Sequence, residues 1–327
     1  MSIILITGGA GFIGSNLVRT LNDSGLTDIV IADSLGNQGG IAGKWRTLLG
    51  KKFRDIIPKS ATIGFIEKHR RDLGAIIHLG ACSSTQEMDM DFLMENNIRL
   101  SQKIILLAAE FGIRCIYASS AATYGIGERG FDDDPSLIRS IRPINPYGFS
   151  KHFVDCWLLD KQLEDKACGL KFFNVYGPNE YHKGKMRSLV LTAHPQILET
   201  GTIRLFKSTD PQYPDGGQRR DFIYVKDCCD AVLWLLENPQ INGVYNVGTG
   251  ASRTWNDLAH ALFAAMDLPS QIEYIDMPPS LVPGYQNFTE ATMTRLHHAG
   301  WTGAQTSLEE GVRDYVQGYL ALGGAIR

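Results

Sequence analysis

The sequence predicts an α/β protein in which a doubly wound parallel sheet is accompanied by a smaller, discontinuous α/β domain. One observation is that short apolar runs typical of β-strands alternate with amphipathic helical patterns along most of the 327 residues. Such alternation indicates a parallel sheet with helices on both faces. The other observation is that the alternation stops near residue 178 and returns later, which predicts a smaller domain built from separate segments.

Composition and charge exclude several classes of function. With 44% apolar and 20% charged residues the chain can bury a large core, and a formal net charge of -3 without a long basic run argues against nucleic acid as a partner. No apolar stretch reaches the roughly 18 residues of a transmembrane helix, and no secretory leader precedes the first strand. The six cysteines have no CxxC spacing, so neither disulfides nor a metal site are predicted. We expect a cytoplasmic protein with no membrane partner.

Apolar runs place the elements of the main sheet in order. The predicted strands are residues 3–7, 28–33, 75–81, 114–120 and 170–177. After the first of them Ile13, Leu17 and Leu21 recur every four residues, as expected for a helix face packed on the sheet. Residues 211–220 predict an irregular loop.

Two later segments, 221–225 and 243–250, are predicted to be strands that rejoin the sheet. The main domain then comprises residues 1–178 and 221–267. The smaller domain comprises residues 179–220 and 268–327.

A glycine-rich turn follows the first predicted strand. Gly8, Gly11 and Gly14 lie in TGGAGFIG with GxxGxxG spacing, directly before the first amphipathic helix. Glycine lets the backbone approach a pyrophosphate closely, and the helix N-terminus favours its negative charge. This Rossmann-type arrangement predicts a dinucleotide cofactor.

Charged residues after the second predicted strand bear on the choice of dinucleotide. Asp33 ends that strand, where a carboxylate usually binds the adenosine ribose hydroxyls and so favours NAD. Lys44 and Arg46 follow in GKWRTL, where they would either hold a 2′-phosphate or remain solvated charges on a loop. These residues therefore leave both NAD and NADP as candidate cofactors.

A YxxxK pair supplies the candidate catalytic groups. Tyr147 and Lys151 in NPYGFSK lie one helical turn apart on one face, and Asn145 and Pro146 are suited to begin that helix. We expect the helix N-terminus and the Lys151 ammonium to favour the phenolate and lower the pKa of Tyr147. Ser120, at the end of a predicted strand, is placed to hydrogen-bond the same oxygen. Such a tyrosine can remove a hydroxyl proton while hydride leaves to a nicotinamide.

The order of the motifs TGGAGFIG, ASSAATYG, YxxxK, FFNVYGP and RDFIYVKD resembles extended short-chain dehydrogenases/reductases that act on nucleotide sugars, the NAD-dependent epimerase/dehydratase family. More narrowly, HLGACSST, SSAATYG, NVYGPNEYHKG and GYQNFT resemble the members that epimerise ADP-heptose at carbon six. The resemblance implies an isomerase that oxidises ADP-D-glycero-D-manno-heptose and returns the hydride to the opposite face. It also implies a homo-oligomer, a role in lipopolysaccharide core biosynthesis, a dinucleotide-binding main domain and a substrate-binding smaller domain.

An epimerase of this kind needs a second acid/base, and the resemblance assigns that role to Lys183 in YHKGKMR. Burial or the neighbouring cations His182, Lys185 and Arg187 would lower its pKa, as the role requires. The alternative is that these four side chains only bind the ADP diphosphate. The family usually has serine and histidine at the positions of Lys185 and Thr192, so substrate contacts there differ.

The resemblance also implies the remaining site residues. It places the cofactor against Gly8, Gly11, Phe12, Ile13, Gly14, Asp33, Ser34, Lys44, Leu79, Gly80, Ala81, Cys82, Ser83, Asn96, Tyr147, Lys151 and Val175. It places the substrate against Asn174, Lys183, Lys185, Thr192, Leu205, Phe206, Lys207, Ser208, Arg220 and Tyr285. Lys44 matches a lysine that meets the 2′-phosphate and favours NADP, with NAD as the alternative. Arg220 is suited to fork onto a phosphate, and Tyr285 equally suits packing at a domain junction.

Two kinds of alternative function remain. A UDP- or GDP-sugar 4-epimerase usually has no second base, so under this alternative Lys183→Ala should keep most of the activity. A 4,6-dehydratase needs an Asp-Glu pair at positions where this chain has Ala121 and Ala122. A non-catalytic dinucleotide sensor has no reason to combine Ser120, YxxxK and a second lysine. It would be supported if no sugar nucleotide reduced the bound cofactor.

Overall fold

The strands are described from a computed structural model that covers residues 2–36, 39–279 and 281–327. In chain order they are β1 (Ile3–Thr7), β2 (Ile29–Asp33), β3 (Asp55–Pro58), β4 (Leu73–His78), β5 (Arg114–Ser120), β6 (Ala167–Phe172), β7 (Asn174–Tyr176), β8 (Ile203–Phe206), β9 (Arg219–Arg220), β10 (Phe222–Tyr224), β11 (Gly243–Val247), β12 (Arg253–Thr254) and β13 (Ile272–Ile275). The strands predicted from the apolar runs are present. β3 of the main sheet and β8, β9, β12 and β13 outside it occur in addition. The residues of β3 are exposed or half-exposed and form no apolar run.

A seven-stranded sheet in the spatial order β11-β6-β5-β4-β1-β2-β3 forms the centre of the protein. All of its neighbouring strands run parallel. The chain adds strands outward from β1 to β3 and then returns to place β4 on the other side of β1. This reversal confirms the doubly wound, Rossmann-type arrangement that the sequence predicts.

The second group of predicted strands differs in part from the prediction. β11 rejoins the main sheet beside β6, as predicted for residues 243–250. β10 instead pairs with β7 in a separate two-stranded parallel sheet, so the prediction that residues 221–225 rejoin the main sheet is wrong. An apolar run indicates a buried strand but carries no information about which neighbour it pairs with.

The predicted single strand 170–177 is also divided, at Phe173. The backbone N–H of Phe173 donates to the carbonyl oxygen of Val247 (3.1 Å), whereas that of Asn174 donates to the carbonyl oxygen of Asp221 (3.0 Å). The chain therefore changes its pairing partner within two residues. This change turns Asn174 and the following residues away from the main sheet and toward its carboxyl edge.

Two further small sheets lie outside the main one. β8 pairs in parallel with β13, and β9 pairs antiparallel with β12. The segment 211–218 before β9 contains turns and no strand, as the loop prediction for 211–220 expects, and only its last two residues are extended.

The α-helices are α1 (Phe12–Asp23), α2 (Thr62–His69), α3 (Met90–Leu93), α4 (Leu100–Phe111), α5 (Pro135–Ile138), α6 (Pro146–Asp160), α7 (Leu189–Thr200), α8 (Val225–Glu237), α9 (Trp255–Ala265), α10 (Thr294–His298) and α11 (Leu308–Tyr315). A wider helical turn, Met94–Arg99, joins α3 to α4. Within the described ranges, no helix has the length and apolar character needed to cross a bilayer.

Side chains of successive residues in the central strands pack into two different hydrophobic cores, one on each face of the sheet. In β1, Ile6 belongs to the core that contains Leu17 and Leu21 of α1, whereas its neighbour Leu5 belongs to the core that contains Ile104 of α4. All five side chains are fully buried. This alternation follows from the two-residue period of a strand, and it confirms the packing face predicted for α1.

A buried ion pair lies inside the second core, between β6 and α6. The ammonium of Lys171 lies 2.6 Å from the carboxylate of Asp155, and both side chains are fully buried. Lys171 also donates to the hydroxyl of Thr123 (2.8 Å). Charges without water are stable only when they are paired and hydrogen-bonded, as these are.

We expect Lys171→Met to lower the free energy of unfolding by about 3 kcal/mol, because it leaves the Asp155 carboxylate buried without its counter-ion. Urea unfolding followed by circular dichroism measures the change. Arg139→Met is the control, because the Arg139–Asp160 pair is exposed and such pairs add little stability. Equal losses in the two variants would contradict this account of the buried pair.

Candidate active site

A cleft of about 860 Å³ lies at the carboxyl ends of the central strands. It is bordered by residues at or just beyond the ends of β1, β2, β4, β5 and β6, and by the loop 182–188 from the opposite side. In doubly wound sheets this edge, where the strand order reverses, is where ligands bind.

The cleft brings together all of the residues predicted for the cofactor and for catalysis. Its lining includes Gly8, Gly11, Phe12, Ile13, Gly14, Asp33, Ser34, Lys44, Leu79, Gly80, Ala81, Cys82, Ser83, Asn96, Ser120, Tyr147, Lys151, Val175 and Lys183. Of the residues predicted for the substrate, Asn174 and Lys183 line it as well. Residues separated by more than 170 positions in sequence therefore face one space.

The glycine turn has the shape that a pyrophosphate requires. A Cβ on Gly14 would lie 2.2 Å from the carbonyl oxygen of Gly8, and Gly8 itself has a positive φ of 71° with the backbone of Gly80 2.7 Å from its Cβ position. Within the described residues, no side chain caps the start of α1. The free amides of its first turn are thus available to an anionic group, so the turn fits a dinucleotide.

Asp33 is held in place at the end of β2 by backbone and side-chain donors. Its carboxylate accepts hydrogen bonds from the backbone N–H groups of Ala10 (2.9 Å) and Ser34 (2.7 Å). The ammonium of Lys44 lies 2.6 Å from the same carboxylate and also donates to the carbonyl oxygen of Ser34 (2.8 Å). Lys44 is thus ion-paired with Asp33 beside the glycine turn. It is not the solvated loop charge that the sequence left as the alternative.

The start of α6 confirms the predicted placement of Tyr147. The side chain of Asn145 accepts a hydrogen bond from the N–H of Gly148 (2.7 Å), and Pro146 occupies the first helical position. Tyr147 follows in the first turn and is 8% exposed. Ser120 at the end of β5 faces it, and its hydroxyl oxygen also accepts from the N–H of Ala122 (3.1 Å).

The predicted lowering of the Tyr147 pKa is wrong for the protein without ligand. Burial raises the pKa of Tyr147, and the hydrogen bond from Ser120 opposes this only in part. The Lys151 ammonium donates to the carbonyl oxygen of Ala118 (2.7 Å) instead of to the phenol, so its charge does not outweigh burial. Burial also lowers the pKa of Lys151 to about 8. Helical spacing indicates a shared face but not where a long side chain directs its charge.

Lys183 reaches the cleft from the loop that follows β7. Its ammonium lies 5.0 Å from the centre of the Phe12 ring, across from Tyr147 on the α6 side. Burial lowers the pKa of Lys183, and the carboxylate of Glu180 opposes this effect. The sequence predicts that burial or the neighbouring cations lower the pKa of Lys183. Burial is the cause of the lowered pKa, and the neighbouring cations do not contribute to it.

Glu180 is a buried acid next to Lys183 that sequence reasoning did not identify. It is fully buried and accepts hydrogen bonds from the backbone N–H (2.7 Å) and the hydroxyl (2.5 Å) of Ser188. These contacts hold both ends of the loop 180–188 together. A glutamate in a polar loop is typical of solvent exposure, so only the packing shows its burial.

Two side chains of the same loop have unsatisfied nitrogen atoms. Nδ1 of His182 and Nε of Arg187 are buried and have no hydrogen-bond partner among the described residues, and both residues line the cleft. Burial lowers the pKa of His182 to about 4, so its ring is neutral, whereas Arg187 is a cation. Buried polar atoms of this kind usually have a partner, so they indicate that a polar ligand binds here. Lys59, which was not predicted, also lines the cleft and donates to the side-chain oxygen of Asn96 (2.5 Å).

The other predicted substrate residues lie outside the cleft lining. Lys185 and Thr192 are turned away from it, with the Thr192 hydroxyl donating to the carbonyl oxygens of Ser188 and Leu189 (both 3.2 Å). Leu205 is buried in the core, Phe206 is half-buried, and Lys207 is exposed with Asp276 3.0 Å away. Ser208 accepts from and donates to the backbone of Asp210.

Arg220 and Tyr285 are joined to the cleft through Trp255, which lines it. The guanidinium of Arg220 lies 5.6 Å from the Trp255 ring and 5.1 Å from the Tyr285 ring, and the Trp255 indole donates to the Tyr285 hydroxyl (3.0 Å). Arg220 is 6% exposed. The cation is therefore held in an aromatic frame at the outer end of the cleft.

The residues around Ser120 restrict the chemistry. Ala121 and Ala122 line the cleft where a dehydratase needs an acid and a base. No cluster of three or more metal-binding side chains occurs among the described residues. The groups present are thus suited to proton transfer by Tyr147 and Lys183 and to binding a dinucleotide.

Comparison with known proteins identifies relatives along nearly the whole chain. A family model described as the NAD dependent epimerase/dehydratase family matches residues 4–248. An ADP-L-glycero-D-manno-heptose-6-epimerase of Nitratidesulfovibrio vulgaris (strain DP4) is 51% identical over 319 residues, which are 97% of this chain and 98% of that relative. One of Fusobacterium nucleatum is 44% identical and covers 98% of each chain. The crystal structure of the Helicobacter pylori ADP-L-glycero-D-manno-heptose-6-epimerase superposes with a TM-score of 0.80 at 28% identity, over 97% of this chain and 96% of that one.

Proposed function

The chain belongs to the NAD dependent epimerase/dehydratase family, and on that basis we propose that it converts ADP-D-glycero-D-manno-heptose to ADP-L-glycero-D-manno-heptose. The reaction is a transient oxidation at carbon six of the heptose followed by return of hydride to the opposite face. Its product serves lipopolysaccharide core biosynthesis. The names of relatives at 44% and 51% identity, which are aligned over nearly their full length, support this substrate.

One observation carries the proposal: Tyr147 and Lys183 line a single cleft together with the glycine turn. Inversion at one carbon requires that the ketone present both of its faces to one hydride donor. A proton acceptor is then needed for each orientation of the sugar oxygen. Where the two orientations place the sugar oxygen at different positions, two separate acid/bases in one cleft supply both proton transfers.

Each residue has one task in this scheme. Tyr147 takes the proton of the carbon-six hydroxyl, while Ser120 donates a hydrogen bond that stabilises the phenolate. A bound dinucleotide supplies the acceptor for the hydride that leaves carbon six and donates it again. After the ketone has turned, Lys183 gives a proton to its oxygen, and solvent resets both groups. No net oxidation occurs, so no added cofactor should be consumed.

The smaller domain is proposed to bind the substrate. Residues 179–220 and 268–327 contribute the Lys183 loop, the β8–β13 sheet and Tyr285. Arg220, held between Trp255 and Tyr285, is assigned to the diphosphate, because a buried guanidinium recognises phosphate oxygens well. Arg187 has an unpaired donor and His182 an unpaired ring nitrogen among the described residues that line the cleft. Residues 1–178 and 221–267 are assigned to the dinucleotide.

NADP is the proposed cofactor, and Lys44 carries that choice. We expect Lys44→Met to weaken NADP⁺ binding about 10- to 100-fold, because a charge-assisted contact to the 2′-phosphate is lost and the Asp33 carboxylate is left unpaired. Binding of NAD⁺, which has no 2′-phosphate, should change little. Titration of the dinucleotide-free protein by calorimetry measures both affinities. Equal weakening of both would contradict a role for Lys44 at the 2′-phosphate.

A homo-oligomer in the cytoplasm completes the proposal. Phe149 and Phe153, one turn apart on α6, are 44% and 40% exposed, and such an apolar stripe is typical of an association surface. All six cysteines lie within the described residues and are free thiols. Light scattering of the purified protein tests the association.

The substrate proposal is tested by incubating the protein with ADP-D-glycero-D-manno-heptose, without added cofactor, and following both epimers by chromatography. We expect an equilibrium mixture. A panel of UDP- and GDP-sugars serves as the comparison. Conversion of a UDP- or GDP-sugar alone would favour a 4-epimerase. Failure of every sugar to reduce the bound dinucleotide would favour a sensor.

A further inference from the structure

A carboxylate below the cleft joins the strand that carries Ser120 to the helix that carries Tyr147 and Lys151. Asp155 of α6 is fully buried, and its two oxygens accept hydrogen bonds from the hydroxyls of Tyr117 (2.9 Å) and Ser119 (2.7 Å) in β5. Lys171 of β6 lies against the same carboxylate (2.6 Å). Asp155 thus contacts two strands of the main sheet from one helix position.

These contacts lie on either side of the carbonyl that holds Lys151. The Lys151 ammonium donates to the carbonyl oxygen of Ala118 (2.7 Å), and Ala118 lies between Tyr117 and Ser119. Ser119 is in turn bonded to Ser120, whose hydroxyl faces Tyr147. Asp155 follows Lys151 by four residues and so lies directly below it on the helix. This carboxylate and the Lys151–Ala118 hydrogen bond therefore hold β5 against α6 from adjacent helical turns.

We propose that Asp155 is a positioning residue for the Tyr147 and Lys151 pair: it fixes the Ala118–Ser120 backbone against α6 and supplies the negative charge beneath Lys151. This inference rests on the proposed function, because it assigns Asp155 a role in the proton transfer of Tyr147. Asp155 does not line the cleft in which the substrate and the cofactor are proposed to bind. It acts only through its neighbours.

The charge environment of Lys151 supports an electrostatic part of this role. Burial lowers the pKa of Lys151 to about 8, and Asp155 followed by Cys82 oppose that shift. His78, on β4 beneath the cleft, is neutral, because burial lowers its pKa to about 3. Lys171 faces Thr123 and the Tyr124 ring on the far side of the carboxylate. Among these groups Asp155 is the one permanent negative charge, and without it Lys151 would lose its proton at lower pH.

Removing the charge of Asp155 should shift the pH profile of catalysis in one direction. A protonated Lys151 favours the phenolate of Tyr147, and the rate rises with pH as Tyr147 loses its proton. With asparagine at position 155 the charge is removed; the amide oxygen still accepts from one of the Tyr117 and Ser119 hydroxyls, and the other hydroxyl has to accept from the amide group instead. The pKa of Lys151 then falls further below about 8, so Lys151 stops favouring the phenolate of Tyr147 at a lower pH. We expect the descending limb of the pH profile of kcat/KM to move to lower pH by about one pH unit, which lowers the rate above this limb by up to about tenfold.

The experiment compares pH profiles of the wild type, Asp155→Asn and the double variant Asp155→Asn/Lys171→Met, with Tyr117→Phe as control. Asp155→Asn alone leaves the Lys171 ammonium buried without its counter-ion and can destabilise the fold. The double variant removes both buried charges, so it avoids this unpaired charge. Tyr117→Phe deletes a hydrogen bond to the same carboxylate without changing its charge, and its limb should stay in place. Titration of the lysine side chains by ¹³C NMR in the dinucleotide-free proteins, with the Lys151 signal assigned through Lys151→Arg, provides a readout that does not depend on turnover, and the pKa of Lys151 should fall in the asparagine variants.

The outcomes separate this inference from the proposed function. If the wild type converts ADP-heptose and both asparagine variants show a shifted limb and a lowered pKa of Lys151, the positioning role is supported. If the wild type is active and the variants lose rate equally at all pH values, Asp155 is only structural and the inference is overturned. If the wild type converts no ADP-heptose, the proposed function fails, and the Lys151 titration alone still supports or overturns the effect of Asp155 on Lys151.

Discussion

Replacing Tyr147 by phenylalanine is expected to lower kcat for epimerisation about 10³-fold, because general acid–base catalysis contributes up to about 10⁴-fold. The substitution removes only the hydroxyl that faces Ser120. The ring remains in its buried position at the start of α6, where it is 8% exposed. Binding of the sugar nucleotide should therefore change little, and the loss should appear in kcat rather than in KM.

A tyrosine outside the cleft provides the matched control for this variant. Tyr245 is 9% exposed and its hydroxyl donates to the carbonyl oxygen of Asn242 (2.9 Å). Tyr245→Phe removes a similar buried hydroxyl, so both variants should show similar thermal stability while only Tyr147→Phe loses turnover. Retention of more than about a tenth of the activity in Tyr147→Phe would show that another group takes the proton.

Replacing Lys183 by methionine is expected to have a comparable effect, also about 10³-fold in kcat. Methionine keeps an unbranched side chain that can remain packed on the Phe12 ring, but it cannot exchange a proton with the sugar oxygen. The alternative role, binding of the ADP diphosphate, predicts a different result. In that case KM rises while kcat is largely retained, because the interaction is equal in the ground state and the transition state.

Lys226 is a suitable control for Lys183. Its ammonium also lies near aromatic rings, 5.6 Å from that of Tyr224 and 5.5 Å from that of Tyr319, but it pairs with Asp314 outside the cleft. Lys226→Met should keep wild-type turnover. A Lys183→Met variant with nearly full kcat would exclude the second-base role and favour an enzyme that manages with Tyr147 alone.

The parts of the site that are local in sequence were predictable. The glycine turn needs three glycines, a preceding strand and a following helix, and all of these lie within the first 23 residues. The position of Tyr147 follows in the same way from Asn145 and Pro146, which begin α6. Such features depend on backbone conformations that neighbouring residues dictate, so a single sequence contains the necessary information.

The remaining features depend on contacts between distant segments. The partner of β10 is β7, which lies about fifty residues earlier, and no pattern within residues 221–225 indicates that choice. The direction of the Tyr147 pKa depends on burial by several elements and on Lys151 donating to Ala118 instead of facing the phenol. Glu180 and Asp155 are ordinary acidic residues in sequence and become notable only because the fold buries them completely.

The central claim is that one hydride leaves carbon six and returns to the same carbon on its other face. The direct measurement uses ADP-D-glycero-D-manno-heptose that carries deuterium at carbon six, incubated with the protein in ordinary water and examined by NMR. The account predicts that the L-glycero product retains the deuterium at carbon six, because Tyr147 and Lys183 exchange only the hydroxyl proton. Loss of the label to solvent would contradict it, because inversion would then proceed by proton abstraction from carbon.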